Sequence, residues 1–200
     1  MKTLVLATSN RGKLAELQPL LAGCGLRLVA QSELGVQDAI EDGKTFVENA
    51  LIKARHACAV TGLPALADDS GLVIDALGGA PGLISAHYAG MHGDNASNIA
   101  RVLRELEGLP AEKRRARFHS SLVLLRHADD PQPLIAEGSW EGRILDAPHG
   151  AGGFGYDPIF FDPQLNAGAA ELPADIKNRV SHRGKALARL LEQLPGLDLG

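Results

Sequence analysis

The start of the chain alternates between apolar runs and an amphipathic segment, and this alternation constrains the fold more than any other feature. Lys2–Ala7 is a short apolar run of the kind that forms buried strands. Leucines then recur at positions 14, 17 and 21, a spacing that places them on one face of a helix. A second apolar run, Leu26–Ala30, follows two glycines that suit a helix C-terminus. A strand, a helix and another strand in this order predict an α/β fold.

The remaining periodicity predicts further helices and strands, with a hairpin late in the chain. Thr45 and Glu48 form a capping-box pair, so a second helix is expected to begin there. Strands are expected on both sides of an acidic turn at Asp68–Gly71. The predicted strands are Pro64–Ala67, Leu72–Leu77, Arg117–His127 and Leu134–Glu141; the later helices are Asp94–Glu107 and a terminal leucine-rich helix ended by Pro195-Gly196. This order favours one domain over residues 1–200 with a mixed central sheet flanked by helices.

The composition argues against several classes of partner. The net charge of −4 shows no basic excess that would suit nucleic acid or an anionic membrane. No apolar run approaches the roughly 20 residues that span a bilayer. Cys24 and Cys58 lie in predicted apolar helices without a C-x-x-C partner, which is typical of buried thiols in a reducing compartment. We therefore expect a cytoplasmic protein with no nucleic-acid or membrane partner.

The polar segment after the first strand is suited to binding phosphate. Backbone amides at a helix N-terminus favour anions, Gly12 permits close approach and Lys13 adds a positive charge. The same segment is also compatible with a plain helix cap and a solvated lysine, and alone it does not decide between the two. The candidate phosphate-binding residues are Thr8, Ser9, Asn10, Arg11, Gly12 and Lys13.

Two adjacent carboxylates, Asp68 and Asp69, follow an apolar strand where open α/β sheets bind ligands. Magnesium prefers carboxylate oxygens combined with substrate phosphates. Neighbouring side chains on a strand face opposite ways, so one aspartate can reach a site while the other is structural. A turn with a capping Asp is the alternative. Glu41 and Lys53, taken alone, are more typical of a solvated loop acid and a solvated helix lysine.

The late segments Gly152–Pro158 and Ser181–Gly184 are the other candidates for binding residues. Aromatic side chains between glycines suit stacking on a planar base, and Asp157 would then accept a hydrogen bond. A glycine-rich turn with its aromatics in the core is equally compatible. Arginine suits phosphates and carbonyl oxygens, which makes Arg183 a candidate, although such a basic group is more often surface charge.

Together these segments resemble the family of non-standard purine nucleoside triphosphate pyrophosphatases, also called the inosine triphosphatase or Ham1-like family. The resemblance covers nearly the whole chain. Any one motif is weak, whereas the ordered set is specific. In order, the matching motifs are Thr8-Ser9-Asn10-x-x-Lys13, Glu41-x-Gly43-x-Thr45-Phe46-x-x-Asn49-Ala50-x-x-Lys53-Ala54, Ala67-Asp68-Asp69-Ser70-Gly71-Leu72, Gly79-x-Pro81-Gly82, Gly153-Phe154-Gly155-Tyr156-Asp157-Pro158 and Ser181-His182-Arg183-Gly184.

The resemblance implies a fold, an activity and a set of site residues. It implies two lobes with an active-site groove between them, a homodimer, and Mg²⁺-dependent hydrolysis of ITP, dITP and XTP. Asp69 matches the proton acceptor and a Mg²⁺ ligand, Glu41 a second metal carboxylate and Lys53 a catalytic lysine. Thr8–Lys13 match the triphosphate site. The other matching substrate-binding residues are Ser70, Phe154, Gly155, Tyr156, Asp157, Lys177, His182 and Arg183.

One departure from the family and two rival functions accompany this interpretation. Many members have arginine where this chain has His87, so no role is assigned to His87. A Maf-like pyrophosphatase acting on dTTP or modified pyrimidines would share the phosphate segment but should lack the Phe154–Asp157 loop and the later Ser-His-Arg motif. A nucleotide sensor without catalysis would be expected to have lost a metal carboxylate, yet Glu41, Asp68 and Asp69 are all present.

Overall fold

A computed structural model describes residues 2–194 of the chain. The predicted start of the chain is confirmed: β1 spans Thr3–Leu6, α1 spans Arg11–Leu21 and β2 spans Arg27–Ala30. The second helix, α2 at Phe46–Thr61, begins after the predicted cap, since Thr45 Oγ1 accepts the Glu48 N–H. The Pro195-Gly196 end predicted for the last helix lies outside the described residues.

The later elements complete one mixed sheet. β1 is parallel to both β2 and β3, whereas β5, β6 and β7 pair antiparallel in turn. The strand order in the sheet is β2-β1-β3-β4-β5-β6-β7, which confirms the predicted α/β class with a mixed sheet. The bounds of these elements are β3 Ala65–Ile74, α3 Asn95–Glu105, β4 Arg115–Leu125, β5 Leu134–Ile144, β6 Phe160–Asp162, β7 Ala167–Gly168, α4 Ala174–Val180 and α5 His182–Gln193.

The predicted break at Asp68–Gly71 is wrong, because β3 runs without interruption from Ala65 to Ile74. Adjacent acidic residues before Ser-Gly are typical of a turn. Here the strand is maintained because both carboxylates are buried against cations from distant parts of the chain. Long-range ion pairs therefore override the local preference for a turn.

The chain divides into two compact units. Among the described residues, the first unit comprises 2–69, 120–138 and 182–194, and the second comprises 70–119 and 139–181. In the first unit one face of the sheet packs leucines of α1 and α5, including Leu17, Leu21 and Leu187. The opposite face packs the small residues of α2, including Ala50, Ala54 and Ala57. The first unit is therefore a three-layered arrangement around its part of the sheet.

The second unit has an aromatic core. Phe118, Trp140 and Phe160 form a cluster with ring centroids 4.6–6.2 Å apart. The indole N–H of Trp140 donates to Asp162 Oδ2 at 2.7 Å, so the buried polar atom of this ring is satisfied. The chain has few aromatic residues, and this core contains a large share of them.

Gly138 of β5 permits a close approach between β5 and α5 within the first unit. A Cβ at this position would lie 2.2 Å from the carbonyl oxygen of His182 and 2.6 Å from the amide nitrogen of Ala186. Only a residue without a Cβ allows this packing.

The cysteine prediction is confirmed in part. Cys58 is a buried thiol on α2, whereas Cys24 lies half-buried in the turn after α1 rather than within a helix. Burial raises the pKa of the Cys58 thiol to about 11, consistent with an unreactive core residue. None of the helices in the described part of the chain is long and apolar enough to cross a membrane.

Candidate active site

The polar segment between β1 and α1 forms a side-chain cap on the helix. Asn10 Oδ1 accepts the N–H groups of Gly12 and Lys13 at 2.9 and 3.2 Å. Thr8 is buried and its hydroxyl accepts the Asn10 N–H at 3.2 Å, whereas Ser9, Asn10 and Arg11 are exposed. The structure thus places the predicted phosphate residues together at the helix N-terminus, where the helix dipole favours an anion.

Lys13 is not the solvated lysine of the plain-cap alternative. Its Nζ lies 3.0 Å from Asp68 Oδ2 and 3.1 Å from the Asp68 carbonyl oxygen. Burial lowers the pKa of Lys13, and the neighbouring Asp68 carboxylate opposes that shift. The lysine is therefore held in a fixed position beside β3.

Asp68 is the buried counterion for two cations. The Nε and Nη2 of Arg183 lie 3.2 and 3.0 Å from Asp68 Oδ2, and the Ser120 hydroxyl donates to Oδ1 at 2.5 Å. Burial opposes ionisation, but Arg183, Lys13 and Ser120 outweigh it and hold the pKa of Asp68 well below its usual range. The contacts of Asp68 are thus those of a structural carboxylate, the role that the alternation of side chains predicted for one of the two aspartates.

Asp69 faces the other side of the sheet and meets α2. Lys53 Nζ lies 2.7 Å from Asp69 Oδ1 and 2.9 Å from Glu41 Oε2. Burial raises the pKa of Asp69, although Lys53 and Lys13 offset part of the shift. Burial disfavours the charged form of Lys53, but Asp69 and Glu41 outweigh it and raise its pKa. Glu41, Lys53 and Asp69, far apart in sequence, therefore meet at one point.

The two carboxylates on Lys53 are compatible with a magnesium site. Residues 2–194 contain no cluster of three or more His, Cys, Asp or Glu that could hold a metal on its own. Mg²⁺ seldom uses such a cage; it takes one or two carboxylates together with water and substrate phosphates. Glu41 and Asp69 converge on one cation already, which is the chemistry that this ion requires.

In the second unit the glycine-rich loop is organised by Asp157. Its Oδ2 accepts the Phe154 N–H at 2.7 Å and lies 2.6 Å from Lys177 Nζ. Lys177 Nζ also lies 5.1 Å from the centroid of the half-buried Phe154 ring. The structure thus brings Phe154, Asp157 and Lys177 together, and Asp157 is buried rather than displayed to solvent.

The other residues considered in the sequence analysis differ in burial and in the element that carries them. Tyr156 is buried and its hydroxyl donates to the Ser85 carbonyl at 2.8 Å, whereas Gly155 is half-buried in the loop. Ser70 is half-buried in β3. His182 and Arg183 begin α5 in the first unit, where Glu16 also pairs with the Arg183 guanidinium. His87 is exposed and its ring stacks on His92.

Sequence reasoning missed several residues that hold the site in place. Asp38 accepts hydrogen bonds from Ser9 Oγ at 2.8 Å and Gln31 Nε2 at 2.5 Å. Asn49 is buried on α2, and its amide contacts both Gly43 and Asp69. Asn49 stands in one of the matching motifs, where nothing in the sequence gave a reason to assign it a role.

Comparisons with known sequences and with solved structures point to the same family. Residues 4–193 match the sequence model of the Ham1 family. A dITP/XTP pyrophosphatase of Xanthomonas oryzae pv. oryzae is 62% identical over 199 residues, covering 100% of both chains. A dITP/XTP pyrophosphatase of Vibrio cholerae is 54% identical, covering 97% of each chain. Among solved structures, a HAM1 protein from Coxiella burnetii has a TM-score of 0.90 and 50% identity, with 98% of this chain and 100% of that chain covered.

Proposed function

Since the chain belongs to the Ham1 family, we propose that it hydrolyses the non-standard purine nucleoside triphosphates ITP, dITP and XTP. Water attacks the α-phosphorus and the bond to the bridging oxygen of the β-phosphate breaks, which releases a nucleoside monophosphate and pyrophosphate. The observation that carries the proposal is the meeting of Glu41 and Asp69 on Lys53 Nζ in a strand–loop–helix framework. Removal of deaminated purines from the nucleotide pool is the corresponding cellular role.

The proposed cofactor is Mg²⁺, held by Glu41 and Asp69. When bound, it would neutralise phosphate oxygens and stabilise the charge that develops during phosphoryl transfer. Lys13 and Lys53 supply positive charge from the protein itself. Lys13 is proposed to bind the leaving pyrophosphate, because it lies beside the capped N-terminus of α1.

Asp69 is proposed as the proton acceptor for the attacking water. Lys53 Nζ donates to Asp69 Oδ1 at 2.7 Å and keeps this carboxylate oriented, and a carboxylate that is held beside a water can accept its proton. The water loses one proton to Asp69 as its oxygen forms the bond to phosphorus. The proton then leaves to solvent when the products dissociate.

The base is proposed to be recognised by the Phe154–Asp157 loop with Ser70, Lys177, His182 and Arg183. A donor to the 6-oxygen favours hypoxanthine and xanthine over adenine, since adenine would leave that donor unpaired. We propose that His182 and Arg183 provide this donor function, and that pocket shape excludes the 2-amino group of guanine. An unchanged ratio of ITP to ATP hydrolysis in Arg183→Ala would contradict the role of Arg183.

We also propose that the enzyme acts as a homodimer in the cytoplasm. Light scattering coupled to size-exclusion chromatography tests the dimer directly. A monomer that retains full activity would remove this part of the proposal and leave the reaction unaffected.

The decisive experiment measures pyrophosphate release from a panel of nucleoside triphosphates with and without Mg²⁺. We expect rapid release from ITP, dITP and XTP, little from ATP and GTP, and none without a divalent metal. Preference for dTTP or modified pyrimidines would support a Maf-like activity. Binding without release would support a nucleotide sensor.

A further inference from the structure

Building on the proposed function, we infer that Asn49 is a positioning residue that sets the separation of the two candidate magnesium carboxylates. Asn49 is 4% exposed in the first turns of α2. Its amide contacts Asp69 on one side and, on the other, the segment that contains Glu41. None of the roles proposed above requires this residue, so its buried polar side chain needs an explanation.

On the Asp69 side, α2 holds both carboxylate oxygens. Asn49 Nδ2 donates to Oδ2 at 3.4 Å, and Lys53 Nζ donates to Oδ1 at 2.7 Å. Asn49 and Lys53 are in the i, i+4 relation, so their side chains lie one above the other on the same helix face. The carboxylate is therefore held at two points and cannot rotate freely.

On the loop side, the same amide fixes the segment that follows Glu41. Asn49 Oδ1 accepts the N–H of Gly43 at 2.9 Å, two residues after Glu41. A backbone N–H requires an acceptor and a carboxylate requires a donor, so the amide can satisfy both partners in only one orientation. One planar group thus links the loop to the strand.

Gly43 shows how closely the loop approaches this amide. A Cβ at position 43 would lie 2.6 Å from Asn49 Oδ1 and 2.8 Å from Glu48 Cβ. The φ angle of Gly43 is not in the left-handed region, so the close approach alone accounts for the glycine. Gly43 and Asn49 are therefore two sides of one contact.

Loss of the Asn49 contacts should affect the binding of the metal rather than the binding of the nucleotide. Two carboxylates bind one divalent ion well only when their separation is held, because otherwise binding must also order the loop. Groups that orient metal ligands typically change metal affinity or activity by about 10–100-fold when they are removed. The Asn49→Ala variant should weaken metal binding by a factor in this range and leave the affinity for nucleotide nearly unchanged.

The experiment first confirms that the parent protein releases pyrophosphate from ITP with Mg²⁺; failure here contradicts the proposed function and not the role of Asn49. The Mg²⁺ concentration for half-maximal activity is then measured at saturating ITP, and the KM for ITP at saturating Mg²⁺. For Asn49→Ala we expect the first value to rise about 10–100-fold and the second to stay within about threefold. Binding of Mn²⁺ to the protein without nucleotide, followed by the electron paramagnetic resonance of the free ion, supplies a readout that does not depend on activity.

Asn98→Ala is the matched control. Asn98 is also a buried helix asparagine whose amide accepts a loop N–H, from Ala89 at 2.7 Å, and donates to the Ala86 carbonyl at 3.3 Å. It belongs to the second unit, so its loss should leave the Mg²⁺ half-saturation at the parent value. An equal rise in Asn98→Ala would show that general destabilisation explains the effect and would overturn the inference.

Gly43→Ala approaches the same contact from the loop and leaves the helix sequence intact. Its added methyl group should displace the amide and raise the Mg²⁺ half-saturation in the same direction. This variant decides the question if Asn49→Ala does not fold. Parent-like Mg²⁺ half-saturation in either folded variant would overturn the inference.

Discussion

At the scale of the residue, Asp68 and Asp69 show how the environment gives identical side chains different properties. Asp68 is surrounded by Arg183, Lys13 and Ser120, which hold its pKa low. Burial raises the pKa of Asp69. The first aspartate therefore orients the surrounding cations, and the second is the one proposed to accept a proton.

Replacing Asp69 by Asn should remove most turnover and retain nucleotide binding. The amide cannot accept a proton from water, and general base catalysis typically contributes about 10²–10⁴-fold. Pyrophosphate release and calorimetric nucleotide binding measure the two properties separately. Asp130→Asn, which neutralises another buried carboxylate, is the control with near-parent turnover; near-normal turnover in the Asp69 variant would rule out its assigned role.

Replacing Asp68 by Asn should mainly reduce stability. It leaves the buried Arg183 and Lys13 without their counterion, and breaking such a buried pair typically costs about 3–5 kcal/mol. Asp69→Asn should cost less, because burial already disfavours the charged form of Asp69. Urea unfolding of both variants checks this, and equal losses in free energy of unfolding would contradict the distinction.

Asp130 gives a prediction for the pH dependence of stability. Hydrogen bonds from the Arg126 side chain lower the pKa of Asp130 in the folded protein, with further help from the Arg126 and Gln132 amides. Its ionised form therefore stabilises the fold above the unfolded pKa of about 3.9, and this stabilisation is lost as the pH falls through the lower folded pKa.

The Asp130→Asn variant should accordingly lose about 1–3 kcal/mol at neutral pH, as expected for hydrogen bonds to a charged group. The difference from the parent should stay constant down to about pH 5 and narrow below about pH 4. Urea unfolding across this range measures it. A difference that is unchanged at the acidic end would contradict the assignment.

At the scale of the element, the helices and strands that could be predicted are those set by residues close together in the sequence. The cap at Thr45 and the leucine spacing of α1 are local, and both helices begin where expected. The continuity of β3 was not predictable, because Arg183, which neutralises Asp68, lies 115 residues further along the chain. The role of Asn49 was not predictable for a related reason, since its partner Asp69 lies 20 residues further along the chain on β3.

The packing of α5 on β5 predicts a steric effect at Gly138. In Gly138→Ala the new methyl group would overlap backbone atoms of His182 and Ala186, which cannot move without shifting the helix. Overpacking of this kind typically costs about 1–3 kcal/mol. Gly23→Ala is the control, since no atom of residues 2–194 outside its immediate neighbours lies within 4 Å of its added Cβ and its φ is not left-handed. Thermal unfolding of both variants checks the prediction, and equal melting temperatures would contradict it.

At the scale of the whole molecule, the two units are interleaved in sequence. β3, β4 and β5 each contribute residues to both units, so neither unit is a continuous piece of chain. The sequence pattern predicted the class of the sheet and the elements that supply the candidate catalytic residues. Two lobes were expected from the family resemblance, but the segments that make up each compact unit could not be predicted, because they depend on which distant segments pack together.

Ligand binding should stabilise the molecule as a whole. An inosine triphosphate analogue that resists hydrolysis, added with Mg²⁺ at about a hundred times its Kd, should raise the melting temperature by about 5–10 °C. Removing the metal with EDTA should abolish most of this rise, because the carboxylates would then repel the phosphates. A full shift in EDTA would contradict a metal-dependent site.

The uninterrupted course of β3 has a consequence for insertions and deletions. Because side chains alternate along a strand, a shift of one residue exchanges the two faces. An insertion would place Asp68 opposite Lys53 and carry Asp69 one position further along the strand, whereas a deletion would place Asp69 opposite Arg183 and carry Asp68 one position back. In either case one carboxylate takes the other's place and the second is displaced, while the composition of the strand stays the same. A single-residue insertion or deletion shortly before Asp68 should therefore abolish activity although both aspartates remain in the sequence, because the spacing of residues along β3 matters as much as their identity.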